Sequence, residues 1–197
     1  PRWTWDLKKI AEQEISESVL VLLVKEMKRL PSDLQFGLKV ASCLGSCVQK
    51  NVLGILSGDV GLDLPCILQQ VTKKGFMNIE DDGITFSFVH DKIQQAAYEL
   101  VSEQQRRKNH MQYGMALCSH TLDNNPDNNE LFFDAVNQIN SGGPSVISDP
   151  SKRVILAKLN LKAGKLSITL SDYATALSLF EHGISYLGDD KWTSEYE

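Results

Sequence analysis

One interruption limits this chain more than any other feature. Apolar residues recur at helical spacing nearly everywhere, but between Phe76 and Phe88 the period drops to two. Phe76, Met77 and Ile79 precede Asp82-Gly83, after which Ile84, Phe86 and Phe88 alternate with Thr85 and Ser87. An Asp-Gly pair between two such runs predicts a β-hairpin. The chain carries no other strand signal, so the expected fold class is mainly α with one small β-hairpin.

The helical segments before the hairpin are punctuated clearly. Val19, Leu22, Leu23, Met27 and Leu30 predict a helix that Pro31 stops. Ser32 and Gln35 have the spacing of a capping box, and Leu34, Leu38 and Ala41 form an apolar stripe ending before Gly45. A third helix is expected over Val48 to Leu56 and a fourth from about Leu64 to Lys74, ended by Gly75. Three helices followed by a hairpin is the element order of a winged-helix domain.

After the hairpin the helical period returns with Ile93, Ala97 and Leu100, then with Met111, Gly114 and Leu117 past a bend near Ser102. An Asx-rich stretch, Asp123 to Asn129, precedes an apolar run from Leu131 to Ile139. Ser141-Gly142-Gly143-Pro144 is a loop, and Pro150 suits the first turn of a helix. A helical hairpin follows, with Ile155, Leu159, Ala163, Leu166 and Leu170 expected to line one helix. Tyr173, Ala176, Leu177, Phe180, Ile184 and Leu187 are expected to line the other. Gly164, Asp172-Tyr173, Ala176, Phe180 and Gly183 match the 34-residue tetratricopeptide (TPR) pattern, while Asn160 and Ser167 stand where that repeat prefers aromatics. An ordinary helical hairpin is the competing reading. A TPR-like unit would stack on neighbours and bind partners through them, and it implies a chain cut from a larger protein.

Charge narrows the partners. The chain has 20 basic and 25 acidic residues, net -5, spread evenly over its halves. With a sequence pI near 5.4, it lacks the cationic excess that attracts a phosphate backbone, so DNA is not the expected partner. The longest apolar run, Val19 to Val24, is far shorter than the roughly 20 residues of a membrane span; no membrane role is expected. No secretory signal opens the chain, so a cytoplasmic location with Cys43, Cys47, Cys66 and Cys118 as reduced core thiols is expected.

The most specific string is Phe86-Ser-Phe-Val-His-Asp-Lys-Ile-Gln-Gln-Ala-Ala-Tyr-Glu-Leu100. It resembles the signature that follows the nucleotide-binding domain in STAND-type signalling ATPases, P-loop proteins related to AAA and Orc1-like domains and often fused to Ser/Thr kinase, GAF and histidine-kinase modules. Trp3-Thr-Trp-Asp6, Leu38-Lys-Val-Ala-Ser-Cys-Leu-Gly45, Phe133-Asp-Ala-Val-Asn-Gln-Ile-Asn140, Leu159-Asn-Leu-Lys-Ala-Gly164 and Trp192 agree in order. Cys47-Val48-Gln49 departs from the aromatic-Asp pair frequent in that family after the Cys-Leu-Gly-Ser string.

The resemblance implies a role for His90 and Asp91. In STAND ATPases a His-Asp pair after the wing faces the nucleotide and the His contacts a phosphate of ADP, holding the closed state. Here the pair reads Val89-His90-Asp91, with Val where plant-type relatives have Met. An imidazole suits the task because it can donate to a phosphate oxygen. The competing reading makes the pair a helix cap, with the Asp91 carboxylate at the N-terminus. ATP or ADP with Mg would be held by a P-loop domain upstream of Pro1, since the chain has no G-x-x-x-x-G-K-[ST] loop.

Other constellations are weaker. His90 and Asp91 are adjacent, which denies them the orienting geometry of a Ser-His-Asp hydrolase. Asp123, Asn125 and Asp127 begin like an EF-hand loop, but Asn128 replaces its Gly and Asp134 its final Glu. Cys43 and Cys47, four apart on an expected helix, lack a second ligand pair for zinc. Arg106-Arg107-Lys108 reads as a solvated helix face. No catalytic residue and no metal site are assigned.

The expected organisation is therefore residues 1–31 as linker helices from an ATPase core, 32–101 as a winged-helix-like domain, 102–150 as connecting helices and 151–197 as a truncated TPR-like hairpin. The expected function is a non-catalytic regulatory segment of a multidomain ATP-binding signal-transduction protein. Its partners would be the upstream P-loop domain, the downstream signalling modules and other proteins reached through the repeats. The alternative is a winged-helix DNA-binding transcriptional regulator in which Asp63 to Lys74 reads bases through Gln69, Gln70, Lys73 and Lys74.

Overall fold

The computed structural model of the chain describes residues 19–124 and 128–187. Trp3 to Asp6 and Trp192 lie outside them, as does the middle of the Asx-rich stretch. The chain forms two compact units, Pro1–Ser102 and Glu103–Glu197. The described fold is mainly helical with one small three-stranded antiparallel sheet. Among the described residues no single helix is long and apolar enough to cross a membrane.

In the first unit, helix α1 (residues 19–27) ends before Pro31. Helix α2 (Ser32–Leu44) buries Leu34, Leu38 and Ala41, the stripe read from the sequence, against α4 (Leu64–Lys73) and α5 (Asp91–Glu99). The expected capping box is absent. Pro31 is the N-cap and gives no side-chain bond, and Gln35 Nε2 donates to the Lys28 and Leu30 carbonyls at 3.1 and 2.8 Å. Gln35 thus satisfies acceptors left open at the end of α1 instead of closing its own helix. Helix α4 starts at the Asp63 cap, whose carboxylate accepts from the Cys66 amide at 3.0 Å.

The third helix starts later than its pattern implied. Cys47–Gln49 form a strand, β1, and α3 spans Lys50–Val60. Strands β2 (Met77–Ile79) and β3 (Thr85–Phe88) make the expected hairpin, and β1 adds to the other edge of β3, giving the order β1-β3-β2. Val48 pairs with Phe86 and both are buried. A β-branched side chain on a pleated, half-buried surface accounts for the strand, and three residues are too few to show alternation by themselves. The thiols are corrected by the same geometry: Cys43 and Cys118 are buried, but Cys47 and Cys66 are exposed.

In the second unit, α6 (Glu103–Asn124) packs along α7 (Asn129–Gly142), followed by a 3-10 turn at Pro144–Val146. Helices α8 (Pro150–Thr169) and α9 (Tyr173–Leu187) form the second hairpin. Asp149 caps α8 by accepting from Ser151 N at 2.9 Å, with Pro150 in the first turn as expected. The faces of this hairpin differ from those expected. The buried seam is Leu156, Ala157, Asn160, Ala163, Gly164 and Ser167 on α8, with Ala176, Leu179, Gly183 and Tyr186 on α9. Ile155, Leu170, Tyr173, Leu177 and Ile184 are exposed. Small side chains let the two axes close together, and that contact turns the larger apolar residues outward. Gly164 is required there, because a Cβ would run into the Phe180 ring.

Candidate functional site

The His-Asp pair sits where the sheet hands over to α5. Val89 N donates to the Phe76 carbonyl at 3.2 Å, and this holds the strand end against the hairpin. His90 then adopts an extended backbone, φ -158° and ψ 147°, and becomes the N-cap of α5. Its carbonyl accepts from Ile93 N at 2.8 Å and its ring Nδ1 accepts from Lys92 N at 3.0 Å. Ala96 and Ala97, both fully buried, fix α5 against α2. The cap is thus formed by the imidazole, and Asp91 occupies the first turn, where its charge suits the positive end of the helix.

This cap selects a tautomer. A ring nitrogen that accepts carries no proton, so the neutral imidazole holds its proton on Nε2. His90 is exposed, and Nε2–H is its remaining donor. One such donor suits a single phosphate oxygen; it does not make a nucleotide site. Among the described residues, no group of three or more His, Cys, Asp or Glu side chains is placed to hold a metal ion.

The remaining sequence candidates fall on ordinary surface. Arg107 donates to Glu103 through Nη2 at 2.7 Å and Nε at 3.2 Å, an exposed pair one turn apart on α6. That contact holds the Glu103 carboxyl below its ordinary value. Asn128, in the calcium-like stretch, caps α7 by accepting from Leu131 N at 3.0 Å. Cys47 lies on β1, so the four-residue helical spacing from Cys43 does not exist. On α4, Cys66, Gln69, Gln70 and Lys73 are exposed, while the hairpin turn presents Glu80, Asp81 and Asp82.

Two features escaped the sequence reading. One is a reciprocal amide pair, Asn140 with Asn160, between α7 and α8. The other is an open apolar groove of about 330 Å³ between α8 and α9. Surplus apolar residues on both helices were its only sequence signal.

Comparison with known proteins gives one informative match. The chain is similar to part of a signalling kinase. It is 28% identical, over 255 aligned residues, to Hybrid signal transduction histidine kinase G of Dictyostelium discoideum. The match takes in the whole chain but only 7% of that protein's length. No protein-family model matches, and no solved structure does.

Proposed function

We propose that the chain is a non-catalytic regulatory segment of a multidomain ATP-binding signal-transduction protein of the STAND type. In this reading the first unit contains a winged-helix domain and the second opens a TPR-like array. An upstream P-loop domain holds ATP or ADP with Mg, and His90 contributes one phosphate contact. Similarity over the whole chain to a signal-transduction kinase supports the signalling context. The observation that carries the site is the capped imidazole: Nδ1 is engaged by Lys92 N, which leaves Nε2–H as donor.

The coupling follows from differential contact. A phosphate that accepts from His90 favours the arrangement in which the first unit lies on the nucleotide domain, and loss of that contact shifts the population away from it. Helical repeats beyond the first unit pass the change to downstream modules. Such a protein works in the cytoplasm. The DNA-binding alternative is disfavoured by the hairpin turn, where Glu80, Asp81 and Asp82 would face the phosphate backbone.

The test separates the cap from the contact. Asn caps helices well but lacks a donor at the Nε2 position. In the intact protein, release of a fluorescent ADP analogue should quicken in both His90→Ala and His90→Asn, while only His90→Asn keeps the thermal stability of the first unit. Wild-type release from His90→Asn would reduce His90 to a cap. Tight, salt-sensitive binding to a random DNA duplex at ~50 mM salt would favour the alternative.

A further inference from the structure

The groove between α8 and α9 belongs to the second unit and involves neither His90 nor a nucleotide. Val154, Ala157 and Leu161 line one side; Phe180, Ile184 and Leu187 line the other. Each set recurs at three- or four-residue intervals, so each wall is one stripe of a helix. Leu161 is 45% exposed and Ile184 50%, which leaves a furrow of apolar surface for some segment to cover.

Position and length name that segment. Helices α8 and α9 are the two arms of one hairpin, so Leu187, the last residue of α9, lies at the same end of the groove as Val154, near the start of α8. The chain continues from there as Gly188-Asp-Asp-Lys-Trp-Thr-Ser-Glu-Tyr-Glu197. Gly is the residue that most readily ends a helix, and a turn over Gly188, Asp189 and Asp190 would send the rest back along the furrow. Lys191 to Glu197 as a helix would be about 10 Å long, which matches the stretch of α8 from Val154 to Leu161.

The chemistry of the segment fits the same place. Trp192 and Tyr196 are four residues apart, which puts both rings on one helix face, and an aromatic side chain brings about 150–250 Å² of surface to bury. Asp189, Asp190, Glu195 and Glu197 stand against Lys191 alone. Helix α8 is the opposite, with Lys152, Arg153, Lys158, Lys162 and Lys165 and no carboxylate. Arg153 is spent on the Ile147 and Pro144 carbonyls, and Lys162 lies over the Phe132 ring. Lys152, in the first turn, and Lys165 are exposed, and Lys152 is at the end of the groove where the turn would bring Asp189 and Asp190.

We propose that residues 188–197 of this chain fold back on the groove, with Trp192 and Tyr196 seated between the Leu161 and Ile184 stripes and Asp189 and Asp190 beside the first turn of α8. The rings supply the affinity, and the carboxylates set the direction in which the segment lies. This cover agrees with a helical array that continues past α9, but it needs no residue beyond Glu197.

Trp192 is the reporter, because the other tryptophans are Trp3 and Trp5. In the whole chain carrying Trp3→Phe and Trp5→Phe, acrylamide should quench Trp192 several-fold less than in a free peptide of residues 188–197. The difference between wild type and Trp192→Phe gives the same reading with Trp3 and Trp5 in place. Leu161→Glu and Ile184→Glu, both at exposed positions, should each bring quenching to the level of the peptide while circular dichroism shows the helical fold intact. Lys152→Glu with Lys165→Glu should raise quenching at ~50 mM NaCl and do so less at ~500 mM. Quenching of Trp192 in the unsubstituted groove at the level of the peptide, or protection that survives both groove variants, would overturn the proposal. Quenching unmoved by the lysine pair would overturn the charge pairing. Protection lost on dilution, as a dimer seen by sedimentation dissociates, would place the segment on a second copy and overturn the proposal equally.

Discussion

Asn140 and Asn160 exchange amide hydrogen bonds across the α7–α8 interface: Asn140 Nδ2 donates to Asn160 Oδ1 at 2.8 Å, and Asn160 Nδ2 donates to Asn140 Oδ1 at 3.0 Å. Asn160 Nδ2 also reaches the Leu156 carbonyl at 3.0 Å, and its side chain is fully buried. Both amides are satisfied only when the two helices keep one register, so the pair selects that register from among the slides an apolar seam would tolerate. Asn160→Ala leaves part of the Asn140 amide unpaired and opens a void, and should cost about 2–3 kcal/mol. Denaturant melts of Asn140→Ala, Asn160→Ala and the double variant should give a coupling of about 1 kcal/mol or more. Additive losses would show that the pair does not act as a unit.

Gly164 and Phe180 make a similar argument from shape. Gly to Ala in a helix interior normally gains about 1 kcal/mol, but at position 164 the new methyl meets the Phe180 ring. Overpacking costs about 1–3 kcal/mol, so Gly164→Ala should lower stability. In a Phe180→Ala background the obstacle is gone, and the same substitution should raise it. The sign change between backgrounds, read from paired denaturant melts, is the observable; the same sign in both would remove the ring as the cause.

The sequence made some of this legible and hid the rest for physical reasons. The α2 stripe was readable because its burial follows one local period, and the hairpin because Asp82-Gly83 marks its turn, although Ile79 and Ile84 are exposed and only Met77 and Phe86 are buried. Strand β1 was not, since Val48 becomes a strand residue only through Phe86, thirty-eight positions away. The α8–α9 seam misled because Ala157, Ala163, Gly164, Ala176 and Gly183 supply much of it beside Leu156, Leu179 and Tyr186, while Ile155, Leu170, Leu177 and Ile184 face outward. Asn160 looked like a departure from a repeat until its partner on another helix was known. At the candidate site, the His-Asp string placed the helix start correctly at Asp91, but the cap falls to the imidazole only through the extended backbone of His90.

Tyr186 ties α9 to α7 through a different bond. Its hydroxyl donates to the Ile139 carbonyl at 2.8 Å, and burial pushes its pKa up to about 12. A phenol whose pKa is raised by folding stabilises the native state fully below the unfolded value near 10. That contribution is lost as pH rises from there through about 12, a loss of at most about 3 kcal/mol. Tyr186→Phe leaves the carbonyl without its donor and should cost about 1–2 kcal/mol at neutral pH. The gap between wild type and Tyr186→Phe in urea melts should narrow above pH 10, because only the wild type has this phenol to ionise on unfolding. A gap that stays constant to pH 12 would show that Tyr186 is not protected from ionisation.

Asp82 carries the opposite sign at the acid end. Its carboxylate accepts from Thr85 Oγ1 at 2.6 Å and from the Ile84 and Thr85 amides at 2.8 Å each. The Thr85 hydroxyl is the largest influence, the two amides follow, and together they hold the carboxyl below its ordinary value of 3.8. A carboxylate depressed by folding supports the native turn above that ordinary value, and the support is withdrawn as pH falls through the lower native pKa. The hairpin turn should therefore stay ordered at pH 4, and the Asp82 carboxyl carbon should titrate by NMR with a midpoint below 3.8. Thr85→Val removes the strongest of the three donors and should raise that midpoint while leaving both amide bonds in place. A wild-type midpoint at or above 3.8, or one that Thr85→Val leaves unmoved, would show that the hydroxyl does not hold the charge.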